Sequence, residues 1–248
     1  MIRWHEASDA IGYAVTDRLG GVSQGPYAGC NLGDHVGDDP VAVRANRAAV
    51  LRALGHADLD LVLMDQVHGA DVAVLDAPPP QPPRTDAIVT GLAGVVLGVV
   101  VADCVPILLS DAGAGVIGVI HAGRPGFTAG IVDITLDAMA GLGARDIRAV
   151  VGPSVCGRCY EVPVTMVSEA AEVAPEATAV SWSGTPAIDV ASGVIARMAA
   201  RGASVTWLSG CTREDDTLYS YRRDGTTGRF AGLIWREHSG AEAAGQQR

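Results

Sequence analysis

Apolar residues run along this chain in short blocks bounded by glycine, proline and acidic residues, with a few longer stretches that keep helical spacing. Apolar blocks of about four to eight residues between turn signals read as strands. They predict strands at 11–16, 60–64, 71–76, 86–90, 94–101, 106–110, 115–120, 147–152 and 204–208. Between the first two lies a Gly-rich loop over 17–39, with turns at Gly20-Gly21 and Gly25-Pro26. Asp39-Pro40 then opens a helix: Asp39 caps the free amides, and Pro40 sits in the first turn, where its missing N–H is not needed. Val43, Val50, Leu51 and Leu54 carry helical spacing to about residue 54. Further helices are predicted at 128–142, 163–174 and 188–201, and 227–236 fits either a helix or a strand.

The most apolar stretch, Gly91 to Leu109, is long enough to cross a membrane. It contains Asp103 and Pro106 and is rich in valine and glycine, which reads better as buried strands of a layered sheet. Strands and helices alternate loosely, without the strict period of a barrel and without internal repeats, so the class is mixed α and β (α+β). The sole low-complexity patch, residues 77–84, is a stiff proline-rich loop, and apolar segments continue on both sides of it. One catalytic domain over 1–238 with a flexible polar tail at 239–248 is the expected organisation.

Composition narrows the chemistry. Hydrophobic residues make up 48% and charged residues 19% of 248, enough to fill a core. The net charge of −10 gives no electrostatic pull toward nucleic acid or an anionic membrane, so neither is an expected partner. All 18 basic residues are arginine. With no lysine, the P-loop nucleotide hydrolases, Schiff-base aldolases, pyridoxal-phosphate enzymes and kinases are excluded. Five cysteines, an odd number, behind an N-terminus without the apolar core of a signal peptide, point to a soluble cytoplasmic protein with no disulfide framework.

Three motifs carry candidate chemistry. Gly21-Val22-Ser23-Gln24-Gly25 spells a nucleophile elbow, but that motif needs a strand before it and a helix after it, and Pro26 follows. Cys156-Gly157-Arg158-Cys159 has the spacing of a redox pair or of half a zinc site, with Cys30 and Cys211 single and distant in sequence. The third is His68, Cys104 and His121, each at the end of an apolar run, where ligands sit in layered α/β folds. Two imidazoles and a thiolate match a catalytic zinc site with one open position. They equally match a Cys104 nucleophile with a histidine base, or a buried thiol between two satisfied histidines. Spacing leaves these open.

The words around those residues add to this. In chain order they are Thr16-Asp17-Arg18, Gly20-Gly21-Val22-Ser23, Asn31-Leu32-Gly33-Asp34-His35, Asn46-Arg47, Asp65-Gln66-Val67-His68-Gly69, Thr85-Asp86-Ala87 and Ala102-Asp103-Cys104-Val105-Pro106. His121-Ala122-Gly123, Gly152-Pro153, Tyr160-Glu161-Val162, Cys211-Thr212, Ser220-Tyr221-Arg222-Arg223-Asp224-Gly225 and Thr227-Gly228-Arg229 follow. From about residue 10 to 235 this order resembles the bacterial laccase-domain family, long labelled polyphenol oxidase or multicopper oxidoreductase.

The resemblance implies a single domain of four layers, α/β/β/α. It implies a purine nucleoside phosphorylase acting on adenosine, inosine and methylthioadenosine with phosphate, with adenosine deaminase activity besides. It also implies that His68, Cys104 and His121 hold the metal, zinc or, under the oxidase label, copper, and carry the catalysis. With no lysine, phosphate would fall to Arg47, Arg124 and Arg222, with Asn31 and His35 from the polar loop. Asp103, beside the cysteine, is a candidate general acid or a support for a histidine. The chain departs from the family wording at His121-Ala122-Gly123-Arg124-Pro125-Gly126, where the usual tryptophan is absent and the arginine stands one place early. Editing of cell-wall precursors, with Cys104 as nucleophile, is the alternative within the family. A multicopper oxidase fits least, because six histidines are few for several coppers.

Overall fold

The hydrophobic blocks fold into two stacked sheets. The computed structural model describes residues 1–8 and 10–237; the predicted tail at 239–248 lies outside the described residues. The first sheet has five strands: β1 (Ile2–Ser8), β2 (Ile11–Thr16), β3 (Asp60–Val62), β6 (Val95–Val101) and β13 (Phe230–Arg236), in the order β1-β2-β13-β6-β3. The second has six: β4 (Val72–Leu75), β5 (Ala87–Thr90), β7 (Val105–Asp111), β8 (Val116–Ala122), β9 (Arg148–Val151) and β12 (Ser204–Trp207), in the order β12-β9-β7-β8-β5-β4. A small ribbon, β10 (Thr178–Val180) with β11 (Pro186–Ile188), stands apart.

Period-two alternation sorts each strand between two cores. Along β6, Val95, Leu97, Val99 and Val101 enter the space between the sheets, while Val96 and Val100 face α1 (Pro40–Leu54). On β7 and β8, Leu108, Ile117 and Val119 meet them from the other sheet. Ile107, Leu109, Val116 and Ile120 face the opposite way, onto α2 (Arg124–Thr128), α3 (Ile131–Gly141), α4 (Val164–Val173) and α5 (Val190–Ala200). The layers therefore run α1, five-stranded sheet, six-stranded sheet, four helices, which is the expected α/β/β/α sandwich. Among the described residues no helix is long and apolar enough to cross a membrane, and Gly91 to Leu109 is indeed β6 and most of β7.

Several boundaries differ from those read in the sequence. The edge strand β1 went unread because Arg3, His5 and Glu6 interrupt its apolar positions and its outer face is wet. The helix expected over 128–142 is α3, Ile131–Gly141; the short α2, Arg124–Thr128, went unread before it, and Gly130 at φ +85° separates the two. The ambiguous 227–236 resolves as β13, buried on both faces. The ribbon β10–β11 and the one-turn helix α6 (Tyr221–Asp224) fall in stretches given no element in the sequence.

What the fold does for a site is visible where the chain changes sheets. β6 belongs to one sheet and β7 to the other, and the crossing is made in three residues, Ala102, Asp103 and Cys104. Asp103 takes φ +97° to make it. The end of β8 and the loop after β3 reach the same place.

Candidate metal centre and cleft

Asp86, fully buried just before β5, organises this corner. Its carboxylate accepts the His121 ring N–H at Nδ1 (2.8 Å) and the backbone amides of His68 (2.9 Å) and Gly69 (2.7 Å). Burial alone would raise this carboxyl; the His121 ring and the Gly69 and His68 amides outweigh it and hold the pKa below the ordinary value. One side chain thus fixes the ring of one histidine and the main chain of the other. His68 sits at φ +61°, a left-handed conformation in which histidine is several-fold enriched. It lies in a turn beyond β3, not at a strand end as the apolar run implied.

With Nδ1 committed to Asp86, the Nε2 edge of His121 turns toward Cys104. His68 Nε2 lies 3.8 Å from Cys104 Sγ, and the two imidazoles meet edge to face with centroids 4.7 Å apart. One ligand atom from each of the three lies within 4.8 Å of the others. Burial would raise the Cys104 thiol, but the His121 and His68 rings beside it bring it down to about 6. His121 answers it: burial would lower this imidazole, yet the Cys104 sulfur and Asp86 carry it up to about 9. Gly123 leaves room for the trio, because a Cβ there would stand 2.9 Å from His68 Cδ2 and 3.2 Å from Cys104 Sγ.

The trio opens onto a cleft of about 600 Å³. Of the residues expected at phosphate, Arg124, Arg222 and His35 line it. Pro125 occupies the first turn of α2, where its missing N–H is harmless, and Arg124 pairs with Glu169 at 3.5 Å. The Arg222 guanidinium lies over the Tyr160 ring, 4.7 Å from its centroid. Asn31 and Arg47 do not line the cleft. Asn31 is fully buried, donating to the Gly33 carbonyl and Asp38 and accepting from the Gly33 and Arg229 amides. Arg47 reaches the Leu32 carbonyl and Asp34, so both support the loop that carries His35.

Sequence reasoning missed two residues here. Asp86 was quoted only as part of a motif, and it does for the histidine what was considered for Asp103. Asp103 instead accepts from the Thr212 hydroxyl (2.6 Å), the Ser220 hydroxyl (2.7 Å) and the Arg222 amide (2.6 Å), tying the 212–222 segment to the sheet crossing. It lines the cleft as well. Arg229 also lines the cleft, donating to the carbonyls of Thr227 and Gly228; burial lowers its guanidinium from the ordinary value. Ser23 of the elbow-like motif is buried in the loop, bonded to Asp38 and Asn46. Cys211, remote from Cys156 and Cys159 in sequence, stands beside them in space.

Comparison with known proteins agrees with this architecture. Residues 12–237 match the family model described as multi-copper polyphenol oxidoreductase laccase. The chain is 49% identical over 244 residues to the purine nucleoside phosphorylase ORF3 of Streptomyces griseus, covering 95% of this chain and 99% of the relative. It is 51% identical over 240 residues to the purine nucleoside phosphorylase SCO2081 of Streptomyces coelicolor, with the same coverage. Among solved structures it is similar to the Neisseria meningitidis protein NMB0706, with a TM-score of 0.83 at 32% identity over 95% of this chain and 99% of that one. YlmD from Geobacillus stearothermophilus gives a TM-score of 0.84 at 30% identity, over 92% and 93%. By its sequence from β2 onward and by its fold, the chain belongs to the multi-copper polyphenol oxidoreductase laccase family.

Proposed function

We propose that this protein is a zinc-dependent purine nucleoside phosphorylase acting on adenosine, inosine and S-methyl-5'-thioadenosine, with adenosine deaminase activity in the same cleft. The observation that carries the reading is the juxtaposition, in one cleft, of the His68–Cys104–His121 trio with Arg124, Arg222 and Arg229 and the rings of Tyr160 and Tyr221. The names of the Streptomyces relatives point the same way.

The donor set fits zinc. Two imidazole nitrogens and one thiolate within 4.8 Å of one another, one ring anchored by a carboxylate and one side open to the cleft, match a three-ligand catalytic site. Bound there, zinc would supply a Lewis acid for an oxygen of the reactants. The same donors accept copper. Among the described residues His5 and His56 pack against Trp235, which leaves His35 as the one further histidine at the cleft and few ligands for several coppers.

The chain's own residues supply binding and orientation. Phosphate is a dianion, and in a chain without lysine its charge is met by Arg222, Arg229 and Arg124. Stacking on Tyr160 and the Asp103 hydrogen bond to its amide fix where Arg222 can reach. Val100, Val155, Val190 and the two tyrosines offer the purine an apolar and aromatic surface. In phosphorolysis the N-glycosidic bond breaks, the base leaves with the electron pair and gains a proton, and a phosphate oxygen bonds to the anomeric carbon. By analogy with glycoside cleavage the transition state is oxocarbenium-like. In deamination, water replaces the amine of adenosine and ammonia leaves. A cleft of about 600 Å³ suits a nucleoside with phosphate, whereas a nucleotide-sugar peptide would have to extend beyond it.

The test is hypoxanthine release from inosine by metal-quantified protein, with and without phosphate. Release that requires phosphate and yields ribose 1-phosphate supports the reading. Phosphate-independent release, or none from zinc-loaded protein, contradicts it.

A further inference from the structure

Behind the wall of the cleft lies a second cluster of metal-ligand side chains that the proposed chemistry does not use. Cys156 and Cys159 lie on one turn, where the amides of Cys159 and Tyr160 donate to the Cys156 carbonyl at 2.9 and 3.1 Å. The segment carrying Cys211 is laid against that turn by a parallel bridge to Ser154, through Ser154 N to Gly210 O (3.2 Å) and Thr212 N to Ser154 O (3.1 Å). Three sulfurs and a Glu214 carboxylate oxygen thereby come within 4.8 Å of one another.

The details are those of a prepared site. The Cys156 amide donates to Cys211 Sγ at 3.5 Å, and the Cys159 thiol lies 3.2 Å from Glu214 Oε1. The Trp182 indole N–H donates to the same Glu214 oxygen at 2.9 Å, and Arg158 lies over the Trp182 ring, so the carboxylate is held in direction. All three thiols are free. A disulfide would use two of them and strand the third. Packing accounts for buried Cys159 and Cys211 beside Val155, but not for a carboxylate turned in among them when its residue is exposed and water is open to it.

We propose that Cys156, Cys159, Cys211 and Glu214 bind a structural zinc ion. The spacing C-x-x-C is that of a zinc knuckle, and four protein ligands make the closed coordination of a structural site. With Zn–S bonds of about 2.3 Å, tetrahedral donors stand about 3.8 Å apart, inside the 4.8 Å span of this cluster. The ion would clip together two segments 55 residues apart in sequence. Val155 and Tyr160 on one of them line the cleft, and Thr212 on the other holds Asp103. The site would therefore hold the wall on which Arg222 stacks.

The test counts zinc in wild-type protein, in the Cys159→Ser/Cys211→Ser variant and in the Cys104→Ala/His121→Ala variant, and does not depend on nucleoside turnover. The expected result is about two zinc ions per wild-type chain and about one in each variant. The Cys104→Ala/His121→Ala protein is also loaded with cobalt(II). With the other cluster intact, it should show strong thiolate-to-cobalt charge-transfer absorption, whether or not the Cys159→Ser/Cys211→Ser variant folds well. Absence of that absorption, or a disulfide among Cys156, Cys159 and Cys211 in protein purified without oxidant, would overturn the proposal.

Discussion

The two ligand clusters stand on opposite sides of one wall and are built on opposite principles. His68, Cys104 and His121 offer three donors and face a cleft; Cys156, Cys159, Cys211 and Glu214 offer four and face the protein and its edge. The first is assembled by a buried carboxylate, Asp86, at the crossing between sheets, so its geometry does not need an ion to exist. The second is assembled from two loops joined by a single bridge and a few hydrogen bonds, so an ion there has folding to do. On the proposed reading, the open trio carries chemistry and the closed quartet carries shape.

The sharpest way to break this contrast is to remove one donor from the trio and, separately, two from the quartet. Cys104→Ala should lower phosphorolysis by about a thousandfold or more while leaving the melting midpoint within a few degrees. Cys159→Ser/Cys211→Ser should do the reverse, lowering the midpoint by roughly 5–10 °C with a smaller loss of activity. Paired activity assays and calorimetry read both. Asp103 links the two regions, and asparagine tolerates its positive φ while losing the charge. Asp103→Asn should cost on the order of 3 kcal/mol in urea unfolding, because a buried carboxylate with three donors is replaced by a neutral amide.

Smaller effects sharpen the picture of the trio. Asp86→Asn keeps the size of the side chain but not its charge. Zinc affinity at the cleft should fall about tenfold to a hundredfold, measured by competition with a chelating dye, while the quartet keeps its ion. Arg124→Ala should raise the KM for phosphate by several-fold, up to about tenfold, with little change in kcat, since Arg124 is one of three arginines at the cleft and is partly engaged by Glu169. Steady-state kinetics at varied phosphate will read that split.

How much of this was legible in the sequence follows from what each residue does. The central strands were readable because β6, β7 and β8 are buried on both faces, which forces unbroken apolar runs. The edge strand β1 was not, because its wet face admits Arg3 and His5 and its half-buried face carries Glu6, paired with Arg148. His68, Cys104 and His121 could be picked out by residue type and by resemblance, yet nothing in spacing says that they meet. Asp86 escaped because its work is three-dimensional: it reaches back to an amide 18 residues earlier and forward to a ring 35 residues later. Asn31 shares the polar loop with His35 and Arg47 reaches that loop from α1, and only packing decides which side chain faces the cleft and which holds the loop. Cys211 looked single for the same reason, since a parallel bridge, invisible to local pattern, brings it to Cys156.

The most direct test of the account is a stepwise chelation of wild-type protein in which zinc content, phosphorolysis and melting midpoint are followed together. The account predicts that the first zinc released comes from the open trio and takes the activity with it at an unchanged midpoint, and that the second lowers the midpoint. Loss of stability with the first ion while activity persists would contradict it.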